Sequence, residues 1–206
     1  MTKIYYMESA LAKPFVYKAE SLLSAERFER FKRLKKKDDK LDCLAIGLII
    51  NKVFGDNSVL YKDKNGCPCL KHGGYISISH SGGVCAVAVS DSSVGLDIQE
   101  HSERNYMSIG RIVFCENELS YLSQTFDLEN DFYKLWCLKE SYMKAKGLGF
   151  ELSPKSFSFG ISGKDIILNS NDEKQWSFAC FNIGELTAAL CCETCCEYSL
   201  INISLT

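Results

Sequence analysis

The chain contains no apolar run approaching the roughly 20 residues that a membrane-spanning helix needs. Its opening residues, Met1-Thr2-Lys3-Ile4-Tyr5-Tyr6, lack the long apolar region of a signal peptide, so a cytoplasmic protein is expected. Charge of one sign is not in excess: the net charge of −2 gives no global pull toward nucleic acid or a membrane. Zinc-ribbon and zinc-finger spacing is also missing. Cys67-Pro68-Cys69 with His72, and the adjacent pairs Cys191-Cys192 and Cys195-Cys196, do not follow it, and neighbours in a strand point to opposite faces. Without an export signal, the eleven cysteines read as free thiols, mostly small buried apolar side chains, and not as a disulfide scaffold.

What is present suffices for a packed core: 206 residues, 46% of them hydrophobic, make one large domain or two small ones and exclude disorder. The charges are unevenly placed, because Arg27, Arg30, Lys32, Arg33, Lys35, Lys36 and Lys37 crowd one segment. A local anionic partner is expected there. A nucleic-acid patch is not, since Phe28 and Phe31 belong to a core stripe and leave no outward aromatics for base stacking.

Lys3 to Tyr6 reads as a first strand. A helix follows from Ser24 as its N-cap, with Phe28, Phe31 and Leu34 at core spacing, then a second from about Asp39 to Phe54 with Leu41, Leu44, Ala45, Leu48 and Ile49 as its stripe and Gly55 as its stop. Asn65-Gly66 and Gly73-Gly74 mark turns. A helical pattern through Ile109, Ile112 and Val113, another over Glu116 to Leu122, and a third around Trp136 ending near Gly147-Leu148-Gly149 open the second half. Strands are expected at 157–161, 165–168, 176–181, 186–192 and 198–203. Each half then reads strand, helices, strands, with no convincing residue-level repeat.

Three segments carry chemistry. Phe132-Tyr-Lys-Leu-Trp-Cys-Leu-Lys139-Glu140-Ser-Tyr-Met-Lys144 sets a carboxylate between two lysines in an otherwise buried helix, with Glu140 and Lys144 on one face below Trp136. Upstream, Val84 to Val89 and Val94-Gly95-Leu96-Asp97-Ile98-Gln99 read as a β-hairpin. Period two puts Gly95, Asp97 and Gln99 on one face, and the bare Gly95 leaves room for a ligand to approach the backbone. The third segment is Tyr75-Ile-Ser-Ile-Ser79-His80-Ser81, just before that hairpin.

In their order and spacing these segments resemble the 4′-phosphopantetheinyl transferases, specifically the larger monomeric type that serves surfactin and other peptide synthetases. The resemblance spans nearly the whole chain. It implies an α+β fold of two similar α+β halves about a pseudo-twofold axis, residues 1–103 and 104–206, with the active site in the cleft between them. It implies a Mg²⁺-dependent (or Mn²⁺-dependent) transfer of phosphopantetheine from coenzyme A to a serine of an acyl or peptidyl carrier protein, releasing 3′,5′-ADP. Asp97, Gln99 and Glu140 would hold the metal. Glu140 would also take the serine proton, Lys144 would neutralise the departing phosphate, and Glu118 would lie near the reacting centre. Ser79, His80, Lys139 and Lys144 would contact the coenzyme.

The sequence departs from the pattern at Gln99, where relatives usually have a third acidic ligand, and at Cys43 and Cys67, where many have Arg and Lys directed at the 3′-phosphate. Neutral thiols cannot replace those charges. Lys36, Lys37 or Lys40 is the expected substitute. The same departures motivate an alternative from another class, a non-catalytic protein that binds coenzyme A or a carrier.

Overall fold

The structure, a computed structural model, describes residues 1–55, 60–71, 73–148, 151–163 and 165–205. His72 and Gly149 lie outside them. Two compact units divide the chain: Met1–Asp91 joined by Glu197–Thr206, and Ser92–Cys196.

In the first unit β1 (Thr2–Glu8) leads through a 3₁₀ segment to α1 (Ala19–Leu22), α2 (Ala25–Arg33) and α3 (Lys37–Phe54). Ser24 caps α2 by accepting the Arg27 N–H at 3.3 Å, and α3 ends on Gly55, whose φ of 74° suits a residue without a Cβ. β2 (Leu60–Lys62) and β3 (Pro68–Leu70) form a hairpin. Its turn is held by Asp63, whose Oδ1 accepts the N–H groups of Asn65 and Cys67, both at 2.9 Å. β4 (Tyr75–Ser81) and β5 (Val84–Ser90) follow, and the sheet order is β11-β1-β5-β4, with β11 (Tyr198–Asn202) parallel to β1. β5 has a partner on each edge, and Cys85 to Ala88 are fully buried. Leu44, Ala45 and Ile49 of α3 are fully buried in the same core as Met7, Cys85 and Val87.

The second unit opens on β6 (Val94–Gln99), passes through α4 (Tyr106–Val113), α5 (Glu116–Gln124) and α6 (Leu128–Lys146), and continues as β7 (Ser158–Ser162), β8 (Asp165–Asn169), β9 (Ser177–Ile183) and β10 (Leu186–Cys192). β10 is central in a β6-β10-β9 sheet, while β7 and β8 pair separately. Asp127 caps α6, and Gly147 at φ 64° ends it. Phe132, Leu135 and Leu138 of α6 are fully buried, and truncating any one to Ala should cost about 2–5 kcal/mol.

Several expectations are corrected. Val84–Val89 and Val94–Gln99 do not pair as a hairpin: both edges of β5 are taken by β1 and β4, so β6 pairs with β10, with Asp97 opposite Ala189 and Gln99 opposite Thr187. The last strand likewise belongs to the first unit, because β11 runs beside β1 from Thr2↔Tyr198 to Tyr6↔Asn202. The units therefore change over near Asp91 and Glu197, and the chain is not cut once near residue 103. Cys195 and Cys196 follow β10 in a loop, whereas Cys191 and Cys192 are its buried end. Ile112, read as part of a helical core pattern, is 72% exposed.

Candidate functional site

Gly95 decides how β6 and α6 meet. A Cβ there would lie 1.8 Å from the Ser141 carbonyl oxygen and 2.6 Å from the Ala145 nitrogen, so only a glycine lets the helix backbone lie against the strand. What approaches the bare backbone is α6, not the ligand that the sequence suggested. This brings Lys144 onto Asp97.

Asp97 is 3% exposed, yet it is a carboxylate, and it is held by charge and hydrogen bonds. Lys144 Nζ donates to its Oδ1 at 2.7 Å and to the Leu96 carbonyl at 3.0 Å. Gln99 Nε2 donates to Oδ2 at 3.0 Å, so Asp97 and Gln99 do share a strand face. The Gln99 amide thus turns its nitrogen to Asp97. The fully buried Cys137 of α6 donates its thiol to the Thr187 carbonyl oxygen at 3.5 Å, and burial, then the negative charge of Asp97, push that thiol up. Thr187 is the cross-strand partner of Gln99, and its hydroxyl meets His101 Nε2 at 2.7 Å.

Glu140 stands one helical turn before Lys144 and is half-buried. Burial, and then the negative charge of Asp97, push its carboxyl above the ordinary glutamate value, with Lys144 acting in the opposite direction. Among the described residues the Glu140 carboxylate has no hydrogen-bond or ion-pair partner. Beside it opens an apolar cavity of about 290 Å³ walled by Val113, Phe114, Trp136, Met143 and Leu152.

Two expected site residues are joined in a buried ion pair. Lys139 is 3% exposed and donates to the Pro154 and Phe157 carbonyls at 2.7 and 2.8 Å, with its ammonium 3.0 Å from Glu118. Glu118 is fully buried, and its oxygens accept the N–H groups of Cys115 at 2.8 Å and Phe159 at 2.9 Å. The two form an internal ion pair that ties α5 and α6 to the segment entering β7, and Lys139 also lines the cavity beside Glu140. The (i, i+3) capping pattern Cys115 to Glu118 was visible in the sequence and points to this structural role.

In the first unit, Ser79 is buried on β4 and the exposed His80 has its Nδ1 3.2 Å from Asp42 Oδ2. Burial raises the Asp42 carboxyl, but hydrogen bonds from His80 and Ser9 outweigh it and hold the group below the ordinary value. His80 lines a cavity of about 240 Å³ with Arg27, Arg30, Asp42 and Cys43. The sequence reading did not single out Arg27 and Arg30 from the basic run; their i, i+3 spacing on one face of α2 was the available signal. Lys40 instead lies over the Phe31 ring, 5.3 Å from its centroid.

Among the described residues no three His, Cys, Asp or Glu side chains form a metal cluster. The pair Asp97 and Glu140 with the Gln99 amide is nevertheless a hard oxygen donor set, in which burial and then the charge of Asp97 raise the Glu140 carboxyl. These residues fit a divalent cation that takes few protein ligands.

A family model described as ACPS, the 4′-phosphopantetheinyl transferase superfamily, matches residues 93–191, which include Asp97, Gln99, Glu140 and Lys144. The 4′-phosphopantetheinyl transferase ffp of Bacillus subtilis is 32% identical over 169 residues, 76% of this chain and 75% of that protein. Sfp of Bacillus subtilis strain 168 is 30% identical over the same shares, and gsp of Aneurinibacillus migulanus is 28% identical over 90% of this chain and 81% of its own. Identity at that level over three quarters of both chains, spanning the strand that carries Asp97 and the helix that carries Glu140, places the chain in the 4′-phosphopantetheinyl transferase superfamily.

Proposed function

We infer that the protein transfers the 4′-phosphopantetheine group of coenzyme A to a serine hydroxyl of an apo acyl or peptidyl carrier protein. The observation that carries this reading is the pairing of Asp97 with Glu140 and Lys144, drawn together by the Gly95 contact within the segment that matches the family. The alternative, a protein that binds coenzyme A or a carrier without turnover, is disfavoured by the transferase relatives.

In the transfer the serine oxygen bonds to the phosphorus that carries pantetheine. The bond from that phosphorus to the bridging oxygen breaks, and 3′,5′-ADP leaves. Glu140 accepts the serine proton, and its raised carboxyl makes it a better base than a solvated glutamate. Lys144 neutralises the charge that develops on the leaving phosphate. Asp97 and Glu140, with Gln99 beside them, would hold Mg²⁺ or Mn²⁺, which when bound screens the diphosphate from the carboxylates. The apolar cavity beside Glu140 is suited to the pantetheine arm.

Ser79 and His80 are proposed as phosphate contacts for the coenzyme. Arg27 and Arg30 share the His80 and Cys43 cavity, and they are a better source than Lys36, Lys37 or Lys40 of the charge that Cys43 and Cys67 do not supply. Eleven thiols with no disulfide suit a reducing, cytoplasmic setting. One chain supplies Asp97, Glu140 and Lys144, as a monomeric enzyme requires, and neither nucleic acid nor membrane has a part in the reading.

The test is incubation with coenzyme A, Mg²⁺ and a panel of apo carriers, read by carrier mass and by 3′,5′-ADP release. A transferase adds one phosphopantetheine per carrier and releases equimolar 3′,5′-ADP. A binder retains coenzyme A and releases none.

A further inference from the structure

We propose that Asp42 is a positioning residue for His80, its carboxylate holding the imidazole with Nε2 turned to the cavity that Arg27 and Arg30 also line. The proposal rests on the reading of that cavity as the seat of the coenzyme's 3′-phosphate and deepens it.

His80 on β4 and Cys85 on β5 stand directly opposite each other, so their side chains leave the same face of the sheet. Asp42 of α3 meets both. Its Oδ2 lies 3.2 Å from His80 Nδ1, and the Cys85 thiol lies 3.7 Å from its Oδ1. That thiol is fully buried and is also 3.6 Å from the Asp42 carbonyl oxygen, so β5 holds residue 42 by side chain and backbone together. With one oxygen anchored in this way, the rotamer of the carboxylate is selected and the other oxygen is directed to the imidazole.

Burial raises the Asp42 carboxyl, but hydrogen bonds from His80 and Ser9 hold it below the ordinary value, so the group is an anion that can only accept. Nδ1 is therefore the nitrogen that carries hydrogen toward Asp42. In the charged ring both nitrogens donate, and the second N–H, on the opposite edge, remains for a phosphate. Stability alone accounts for less of this arrangement, because the His80 side chain is 44% exposed and an ion pair open to water contributes little to folding. The cavity of about 240 Å³ gives the orientation a use, since His80 meets Arg27 and Arg30 there. Asp42 lines the same space, and its pairing with His80 offsets the negative charge that it would otherwise turn on the phosphate.

The experiment is calorimetric titration of coenzyme A and of dephospho-coenzyme A, without carrier, into wild type, Asp42→Ala, Asp42→Asn, His80→Ala and the Asp42→Ala/His80→Ala double variant. Thermal unfolding of each checks that it is folded. His80→Ala should weaken coenzyme A binding about tenfold, the lower end for a hydrogen bond to a charged group, and Asp42→Ala should do nearly the same. The double variant should be no weaker than His80→Ala, because Asp42 acts through the imidazole. Asp42→Asn, whose amide oxygen still accepts the Nδ1–H, should recover most of the affinity, and dephospho-coenzyme A should bind all the proteins alike. Wild-type affinity in folded Asp42→Ala overturns the positioning role alone. Additive losses in the double variant overturn it too, as does an equal loss of dephospho-coenzyme A, which assigns the effect to packing. Imidazole ¹⁵N resonances, assigned with His80→Ala, test the role without a variant at Asp42: hydrogen on Nδ1 is expected, and a bare Nδ1 overturns it. A wild type that binds no coenzyme A, or does not distinguish it from the dephospho form, contradicts the reading of the cavity itself, and the positioning role with it.

Discussion

Lys144 Nζ lies 2.7 Å from Asp97 Oδ1 and 3.0 Å from the Leu96 carbonyl oxygen, so a single side chain of α6 grips both the side chain and the backbone of β6. Strand and helix behave as one part, and the position of Glu140 relative to Asp97 follows from how closely they pack.

Gly95→Ala should break that part. Its Cβ would meet backbone atoms at 1.8 and 2.6 Å, which no rotamer change relieves, so the helix must move away. A loss of about 3 kcal/mol or more in urea unfolding is expected, the upper end of overpacking costs, together with loss of transfer. Unchanged stability would show that α6 does not need its present depth.

Lys139→Met should act on folding and not on the coenzyme. Removing one partner of the ion pair leaves Glu118 charged at zero exposure, at a cost of about 3–5 kcal/mol. The folded fraction should keep its KM for coenzyme A. A raised KM with normal stability would return Lys139 to the diphosphate.

How much of this was legible in the sequence depends on the kind of contact. Helices α2, α3, α5 and α6 follow from apolar spacing, from the Ser24 cap and from the glycine stops at Gly55 and Gly147, all local signals. The shared face of Asp97 and Gln99 is also local, because it needs only the period of a strand. Strand pairing is not: nothing within Val94–Gln99 says that its partner lies about ninety residues on in β10, or that β11 returns to β1. The burial of Lys139 is not legible in the sequence for a related reason. A motif gives a residue's position on a helix, but Glu118 and the Pro154 and Phe157 carbonyls that bury its ammonium come from elsewhere in the chain.

Acid sensitivity should trace to Asp172. Burial works against its ionised form, but Lys146, Tyr142, the Lys174 N–H and Trp176 donate to it and hold the carboxyl well below the ordinary aspartate range. Its stabilising contribution is present above the ordinary aspartate value of about 3.9 and is lost as pH falls from there toward the depressed value. Asp172→Asn should be less stable than wild type near neutrality, by about 1–3 kcal/mol, and the gap should close in acid. A gap independent of pH would contradict the assignment.

Gln99→Glu should expose the charge balance at Asp97. The amide nitrogen that now donates to Oδ2 becomes a carboxylate oxygen, so without metal the variant should unfold at lower temperature than wild type. With Mg²⁺ it should gain more in melting temperature than wild type does, and it should need less Mg²⁺ for half-maximal transfer. Identical Mg²⁺ dependence would remove residue 99 from the metal's surroundings.

The central claim is that Asp97 and Glu140 work together on a serine of a carrier protein. Its most direct test is the initial rate of carrier phosphopantetheinylation, followed by mass across a Mg²⁺ titration, for wild type, Asp97→Asn and Glu140→Gln, each shown to be folded. The account predicts transfer by wild type that vanishes in chelator, and a loss of at least about a hundredfold in both variants, the size expected when a general base or an electrostatic stabiliser is removed. Turnover near wild type in either folded variant would contradict it.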